Sequence, residues 1–214
     1  MVIKPDKFRT VKKPTQIISL FIGTLFIIRC SGLFESEHES TTKYFPLQEG
    51  NTWYYRHSNP ETENLIIRTI SDSFEHDEKH FYRWTYAENS DIHYDIRADR
   101  NGNIRLLNGS EEYLWFDFSK DSGATYLFTP DVQFGPTAYQ YTVNVLSRNR
   151  TIEVPAGRFE NCITFLFDIP QVKDEEIVYT FAPNVGVIRI GYDGWFSLAL
   201  TKAFVNGNHI GAWE

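Results

Sequence analysis

With 214 residues, the chain is long enough for one domain with a hydrophobic core that needs no disulfide or metal. Hydrophobic residues make up 42% of it and charged residues 23%, which excludes a disordered protein. The net charge is −7, but residues 30–214 carry 15 basic and 27 acidic side chains and therefore −12. Such an acidic domain repels phosphate backbones, so nucleic acid is not expected as a partner.

The first 29 residues have the pattern of an export signal. A basic segment is followed by a predominantly apolar run of twelve residues, Ile17 to Ile28. This run is too short to span a bilayer, which takes about 20 residues, and it matches the apolar core of a secretory signal. We therefore predict a lipoprotein-type signal peptide over residues 1–29, folded as a signal helix. A polar, flexible tether is predicted over residues 30–42.

Cys30 stands directly behind the apolar run and resembles the acylated cysteine of a bacterial lipobox. The resemblance implies a lipid anchor on Cys30, which would hold the protein on a membrane through its buried acyl chains. Ser31 after the cysteine is similar to outer-membrane sorting, which implies an outer membrane lipoprotein facing the periplasm or the cell surface. Arg29 departs from the small residue expected before the cut, so a retained signal anchor and cleavage nearby stay open. Cys162 is interpreted as a small buried hydrophobe.

The remainder of the chain reads as strands separated by turn residues. Aromatic residues, 16% of the chain, fit the pleated surface of a sheet, and several segments alternate apolar and polar positions. We predict a single all-β domain over residues 43–214: an antiparallel meander forming a curved sheet, half-barrel or sandwich. The predicted strands are Thr52–His57, Asn64–Asp72, Phe81–Ala87, Ile92–Asp99, Ile104–Asn108, Tyr113–Phe118, Ala138–Leu146, Thr151–Val154, Cys162–Asp168, Ile177–Phe181, Val185–Tyr192 and Phe196–Val205.

Three motifs lie between residues 44 and 190. The first is YFPLQEGNTWYY from Tyr44, the second VPAGRFENC from Val154, and the third YTFAPNVGVI from Tyr179. In this order they resemble a group of largely uncharacterised bacterial lipoproteins and periplasmic proteins with the patterns "FPL..GN.W.Y", "VPAG.F.NC" and "YAP.VG.V". Some of that group are similar to the curved sheets of lipoprotein carriers and receptors such as LolA and LolB. The resemblance implies a fold and an envelope location but no activity.

The residues themselves give the three motifs an architectural interpretation. Trp53 and Tyr55 alternate on one strand and are expected to pack inside the sheet. Gly157 is expected to adopt a positive φ in a tight turn, and the segment ending at Gly186 is expected to bend the chain between two strands.

One pattern is compatible with catalysis or metal binding. Asp91, His93 and Asp95 alternate and would share one face of a strand, opposite Ile92 and Tyr94. Such a row could hold a metal or tune a general base, and it is also typical of the solvated face of an ordinary strand. These three residues are weak metal candidates only, and no metal site and no cofactor is predicted.

Aromatic residues around residues 119–137 form the second candidate site. If they are exposed, Tyr113, Trp115, Tyr126, Phe128 and Phe134 could bind an apolar ligand, whereas core filling is the simpler interpretation. We therefore expect a non-enzymatic binding or interaction module of the cell envelope, for an apolar small molecule or an envelope protein. One alternative is a metal-dependent or acid–base hydrolase that uses the Asp-His-Asp row. Another is a structural surface protein without a ligand.

Overall fold

Every regular element in the described part of the chain is a β-strand. The computed structural model describes residues 42–58, 65–130, 133–134, 137–138, 140–173, 175–192 and 196–213. The chain divides into two compact units, residues 1–36 and 37–214, and the described residues belong to the second. The predicted signal peptide and the predicted tether up to residue 41 lie outside the described residues. Within the described ranges, no helix is long and apolar enough to cross a membrane.

The strands follow one another at short intervals, as the turn residues of the sequence predict. Their bounds are β1 Thr52–His57, β2 Leu65–His76, β3 Lys79–Tyr86, β4 Asn89–Ala98, β5 Ile104–Asn108, β6 Glu111–Phe116, β7 Thr125–Phe128, β8 Gln133–Phe134, β9 Thr137–Ala138, β10 Tyr141–Val154, β11 Gly157–Asp168, β12 Ile177–Ala182, β13 Gly186–Tyr192, β14 Phe196–Val205 and β15 Asn208–Gly211.

The antiparallel meander predicted from the sequence is confirmed, and it curls until its ends meet. The sheet runs in the order β6-β5-β4-β3-β2-β1-β14-β13-β12-β11-β10-β7, with β15 paired to β14 and with β8 and β9 forming a separate two-stranded sheet. The first long strand therefore pairs with the last, β1 with β14. This pairing joins the two halves of the meander into a nearly closed, barrel-shaped sheet. Closing a sheet on itself removes its exposed edges.

A seam remains between β6 and β7, which are consecutive in the chain. Among the described strands, these two are not neighbours in the hydrogen-bonded order of the sheet. One side chain bridges them: the Tyr126 hydroxyl donates to the Trp115 carbonyl oxygen at 2.8 Å and accepts from the Asp117 amide at 3.2 Å. Because burial raises the pKa of Tyr126, its hydroxyl keeps the proton that it donates.

The interior of the sheet is built from aromatic rings. Inward-facing side chains of the strands form this interior, and Trp53 and Tyr55 of β1 are fully buried, as predicted. Other rings of the core pack edge to face, a favourable geometry for ring pairs. The ring centroids of Phe116 and Phe181, for example, are 4.7 Å apart, and the angle between the two ring planes is 68°. Inward side chains thus fill the barrel-shaped sheet as a core.

Residues 42–51 cover one end of the sheet, which we call the floor. Phe45 is fully buried there, with its ring centroid 5.1 Å from that of Trp84 and 6.0 Å from that of Trp53. Asn51 is also buried, and its side chain joins the Pro46 carbonyl to Asn206. The first motif therefore holds the N-terminal segment of the domain against the ends of the strands.

The first motif contacts both of the other motifs at the floor. The Trp53 indole donates to the Val185 carbonyl at 2.6 Å, and Gly186 passes so close to the ring that an added Cβ would lie 3.1 Å from Nε1. Tyr44 donates to the carbonyl of Asn161 in the second motif at 3.1 Å. Their architectural interpretation is supported by these contacts, since each motif supplies a turn or a ring that another motif needs.

The strand predictions were wrong at two kinds of place. The sequence predicts one strand ending at Leu146 and another starting at Thr151, but β10 continues through residues 147–150 with irregular pairing, because Asn149 takes a left-handed φ of 56° that asparagine tolerates. Three short strands, β7, β8 and β15, were not predicted, and of β9 only Ala138 lay in a predicted strand. Each of these strands has four residues or fewer, too few to show a clear alternation.

Candidate functional site

The end of the sheet opposite the floor is lined by half-buried tyrosines. β1 starts at the floor, so its last residue and the first residues of β2 lie at the other end, which we call the mouth. Its lining is Ile66, Tyr86, Tyr94, Tyr141 and Ile177, all partly exposed. The rings continue into the core, because Tyr94 lies 4.9 Å from Trp115 between ring centroids. At the mouth, partly exposed rings thus adjoin the aromatic interior.

A charged side chain lies inside the sheet below the mouth. Arg68 occupies an inward position of β2 between Ile66 and Ile70 and is only 2% exposed. Among the described residues, its Nε and Nη1 atoms have no hydrogen-bond partner, and it forms no ion pair with a carboxylate. A buried guanidinium normally has both, because leaving a charge and its N–H groups without partners is costly.

Aromatic rings are what Arg68 contacts instead. Its Cζ lies 3.5 Å from the ring centroid of Tyr86, 4.2 Å from that of Trp84 and 5.5 Å from that of Tyr94. Such cation–π contacts each contribute about 2 kcal/mol when they are desolvated. They stabilise the charge but leave its Nε and Nη1 donors unused. Trp84 adds another buried N–H donor without a partner, its Nε1.

No tyrosinate supplies the missing negative charge. Burial raises the pKa of Tyr55 and of Tyr86, and this effect exceeds the lowering by Arg68 beside them. Both phenols are therefore neutral at physiological pH. The Tyr55 hydroxyl is moreover committed to the Val187 carbonyl, to which it donates at 2.8 Å. The positive charge of Arg68 is thus offset by ring electrons alone among the described groups that surround it.

The aromatic residues predicted to bind a ligand are mostly part of the core next to this arrangement. Trp115 is 3% exposed and Phe128 is 5% exposed, with their ring centroids 6.4 Å apart. Tyr126 bridges the seam, and Tyr113 is half-buried and donates to Glu111. The side chain of Phe134 lies outside the described residues. The ligand site on these five residues therefore stays a prediction.

The predicted Asp-His-Asp row lies on the outer face of β4. His93 Nε2 is 3.9 Å from Asp95 Oδ2, whereas the amide of Asp91 is bonded to Asn89. Asp95 accepts from Arg83 Nε at 2.9 Å, and this hydrogen bond raises the pKa of Arg83. Across the part of the chain that the structure describes, no three or more His, Cys, Asp or Glu side chains form a group that could hold a metal ion.

The two cysteines differ in how far the structure describes them. Cys30, the predicted lipid attachment site, lies outside the described residues. Cys162 is fully buried, as predicted, and burial raises the pKa of its thiol. A raised thiol pKa lowers the fraction of reactive thiolate, which suits a core residue.

Sequence reasoning missed Arg68 although a signal was present. In the predicted strand Asn64–Asp72, Ile66, Arg68 and Ile70 share one face. An arginine on the apolar face of a strand is unusual, since arginine is rarely fully buried without a partner. The sequence does not show that this face of the strand is covered. Arg68 was therefore not predicted as a functional residue.

Neither a family model nor a curated protein matches the chain. Two solved structures are similar to it. An exported-protein candidate with a YmcC-like fold from Bacteroides fragilis is 14% identical over 76% of this chain and 99% of its own, with a TM-score of 0.43. A lipoprotein candidate from Parabacteroides distasonis is 17% identical over 74% of this chain and 97% of its own, with a TM-score of 0.34. These values assign neither a family nor an activity to the chain.

Proposed function

We propose that the chain is an exported bacterial lipoprotein, anchored to the outer membrane through Cys30, that binds an apolar small molecule without catalysing a reaction. The basic segment, the apolar run and the cysteine behind it support the export and the anchor. The observation that carries the binding function is the mouth, where half-buried tyrosines continue into an aromatic interior. Ligand sites are typically apolar and aromatic concavities with a few polar groups, and the mouth has this composition.

Entry through the mouth fits the way in which the rest of the sheet is closed. The floor is covered by residues 42–51, with Phe45 buried inside it. The β6–β7 seam is bridged by Tyr126. At the mouth, Tyr86 and Tyr94 keep part of their surface in contact with solvent, so their rings can rotate outward at a lower cost than those of buried residues.

A fluorescent apolar probe tests the binding function. The protein purified in lipid nanodiscs should enhance the fluorescence of the probe beyond that of empty nanodiscs, and octanamide should compete with it. Tyr94→Ala, which removes a ring of the mouth, should change the probe affinity at least several-fold. Tyr54→Ala on the outer face of β1 is the matched control. Equal fluorescence with and without the protein would refute the proposal.

The anchor has its own test. Cells that express the protein are grown with labelled palmitate, and the label is compared between the wild type and Cys30→Ala. Label that depends on Cys30 is expected. Equal label in both proteins, or none in the wild type, would contradict the anchor and leave the binding function to its own measurement.

A second candidate function is a structural surface protein without a ligand, favoured by the filled interior. The ring centroid of Phe116, for example, lies within 5.5 Å of the ring centroids of Phe165, Phe167 and Phe181. This candidate predicts that no probe binds at the mouth.

A further inference from the structure

From Arg68 and its surroundings, we infer that the ligand of the mouth is an amphiphile with a carboxylate head group, and that Arg68 binds this head group. The inference rests on the proposed function, which it makes more specific. Its starting point is a charge without a counter-charge: Arg68 is 2% exposed, and its Nε and Nη1 donors are unused.

The cost of this arrangement is the first argument. Each buried donor without a partner costs about 1–3 kcal/mol, and an unpaired buried charge costs more. A methionine or leucine at position 68 would fill the same space between Ile66 and Ile70 without that cost. Packing of this apolar interior therefore does not require an arginine. An anion that enters the interior, by contrast, requires a positive charge as its partner.

The geometry supplies the second argument. The rings of Tyr86 and Trp84 lie 3.5 Å and 4.2 Å from Cζ, so they contact the planar guanidinium without accepting from its Nε and Nη1 donors. A carboxylate can accept from Nε or from Nη1 in the plane of the guanidinium. The unused Trp84 Nε1 provides one more donor in the same cluster.

Charge selects a carboxylate rather than a phosphate. One buried guanidinium compensates one negative charge, and a carboxylate carries one. A phosphate monoester carries between one and two charges at neutral pH, which would leave an excess negative charge in the interior. The acidic surroundings, with Glu88 close enough to raise the pKa of Tyr86 at the mouth, disfavour a dianion further.

The remaining part of the ligand is apolar because of what surrounds the charge. Beyond Arg68 the interior continues through Trp84 and Trp115, whose ring centroids are 6.1 Å apart, with Ile66 and Tyr94 at the entrance. An alkyl or aromatic tail that lies among the side chains of the mouth gains about 25 cal/mol for each Å² of apolar surface that it buries there. The ring of Tyr86 lies 3.5 Å from Arg68 Cζ, so it must move aside when a head group enters.

The experiment compares three ligands of one chain length on the intact protein in nanodiscs: octanoate, octanamide and octyl phosphate. Binding is followed by tryptophan fluorescence, with empty nanodiscs as the background. Octanoate should bind about 10- to 100-fold more tightly than octanamide, the range expected for a hydrogen-bonded charge, and more tightly than octyl phosphate. Arg68→Met should lose this preference, while Arg56→Met, on an exposed position of β1, should keep it.

The outcomes separate this inference from the proposed function. Equal affinities for octanoate and octanamide in the wild type would overturn the carboxylate and leave the binding function standing, and this comparison needs no variant. Binding of none of the three ligands would overturn both. A preference that survives in Arg68→Met would overturn the role of Arg68.

Unfolding of the same variants provides a readout that a merely structural arginine would not give. If Arg68 serves a ligand, the urea midpoint of Arg68→Met without ligand should equal or exceed that of the wild type. Octanoate should raise the midpoint of the wild type and not that of the variant. A clearly lower midpoint of Arg68→Met, together with no effect of octanoate on the wild type, would assign Arg68 a structural role and overturn the inference.

Discussion

Replacing Gly186 with alanine tests how the first and third motifs meet at the floor. Gly186 has a φ of 100°, which a residue with a side chain rarely adopts, and an added Cβ would lie 3.1–3.3 Å from three atoms of the Trp53 indole. The indole has little room to retreat, because Trp53 is fully buried and its Nε1 donates to the Val185 carbonyl. Two separate costs therefore fall on one substitution.

The magnitudes can be estimated from these two costs. Holding an alanine at such a φ costs about 1–3 kcal/mol, and overpacking the ring costs about 1–3 kcal/mol more. Gly50→Ala is the matched control, since Gly50 has a φ of 85° and no atom within 4 Å of the added Cβ. We expect a loss of about 2–6 kcal/mol in the free energy of unfolding for Gly186→Ala, and about 1–3 kcal/mol for Gly50→Ala.

Urea unfolding followed by tryptophan fluorescence measures both variants. The fluorescence maximum of the folded state should also shift for Gly186→Ala alone, because its Cβ contacts an indole. Equal losses of stability in the two variants would refute the reasoning, since they would mean that the contact with Trp53 adds nothing to the backbone cost.

Two other sites allow predictions of similar sharpness. Tyr126→Phe removes both hydrogen bonds across the seam and should lower the free energy of unfolding, measured in urea, by about 2–4 kcal/mol. The control Tyr54→Phe, on the outer face of β1, should lower it by no more than about 0.5 kcal/mol. Similar losses in the two variants would argue against the bridge. Burial alone would raise the pKa of Glu112, but hydrogen bonds from Lys79 and Arg97 outweigh it and lower the pKa below its usual 4.5. Because the folded pKa is the lower one, the stabilisation is complete above pH 4.5 and is lost as the pH falls through the folded value. Glu112→Gln should thus be less stable than the wild type at pH 7, and this difference should shrink below pH 4.5; a difference that stays constant down to pH 2.5 would contradict the assignment.

The fold could be predicted from the sequence wherever strands are long and alternate. Trp53 and Tyr55 indicate an inward face by their spacing alone, and so do the alternating apolar residues of β10 and β11. Whether the meander would stay open or close could not be predicted. Closure depends on β1 pairing with β14, which are about 150 residues apart, and short-range patterns carry no information on such a pairing.

The candidate site was harder to predict from the sequence than the strands, because it depends on which strand faces are buried in the assembled sheet. The aromatic residues predicted to bind a ligand, Trp115 and Phe128 among them, lie in the core, and Arg68 was not among the predicted residues. A single arginine between two isoleucines becomes unusual only when the face that it shares is known to be covered. Burial is a property of the assembled sheet and not of the strand.

The most direct measurement of the central claim is a crystal structure of the protein with octanoate. The account predicts the carboxylate within about 2.7–3.2 Å of the guanidinium nitrogens of Arg68, with the Tyr86 ring displaced from its present 3.5 Å contact and the alkyl chain among the rings of the mouth. Octanoate bound elsewhere on the protein, with Arg68 still covered by Tyr86, would contradict it.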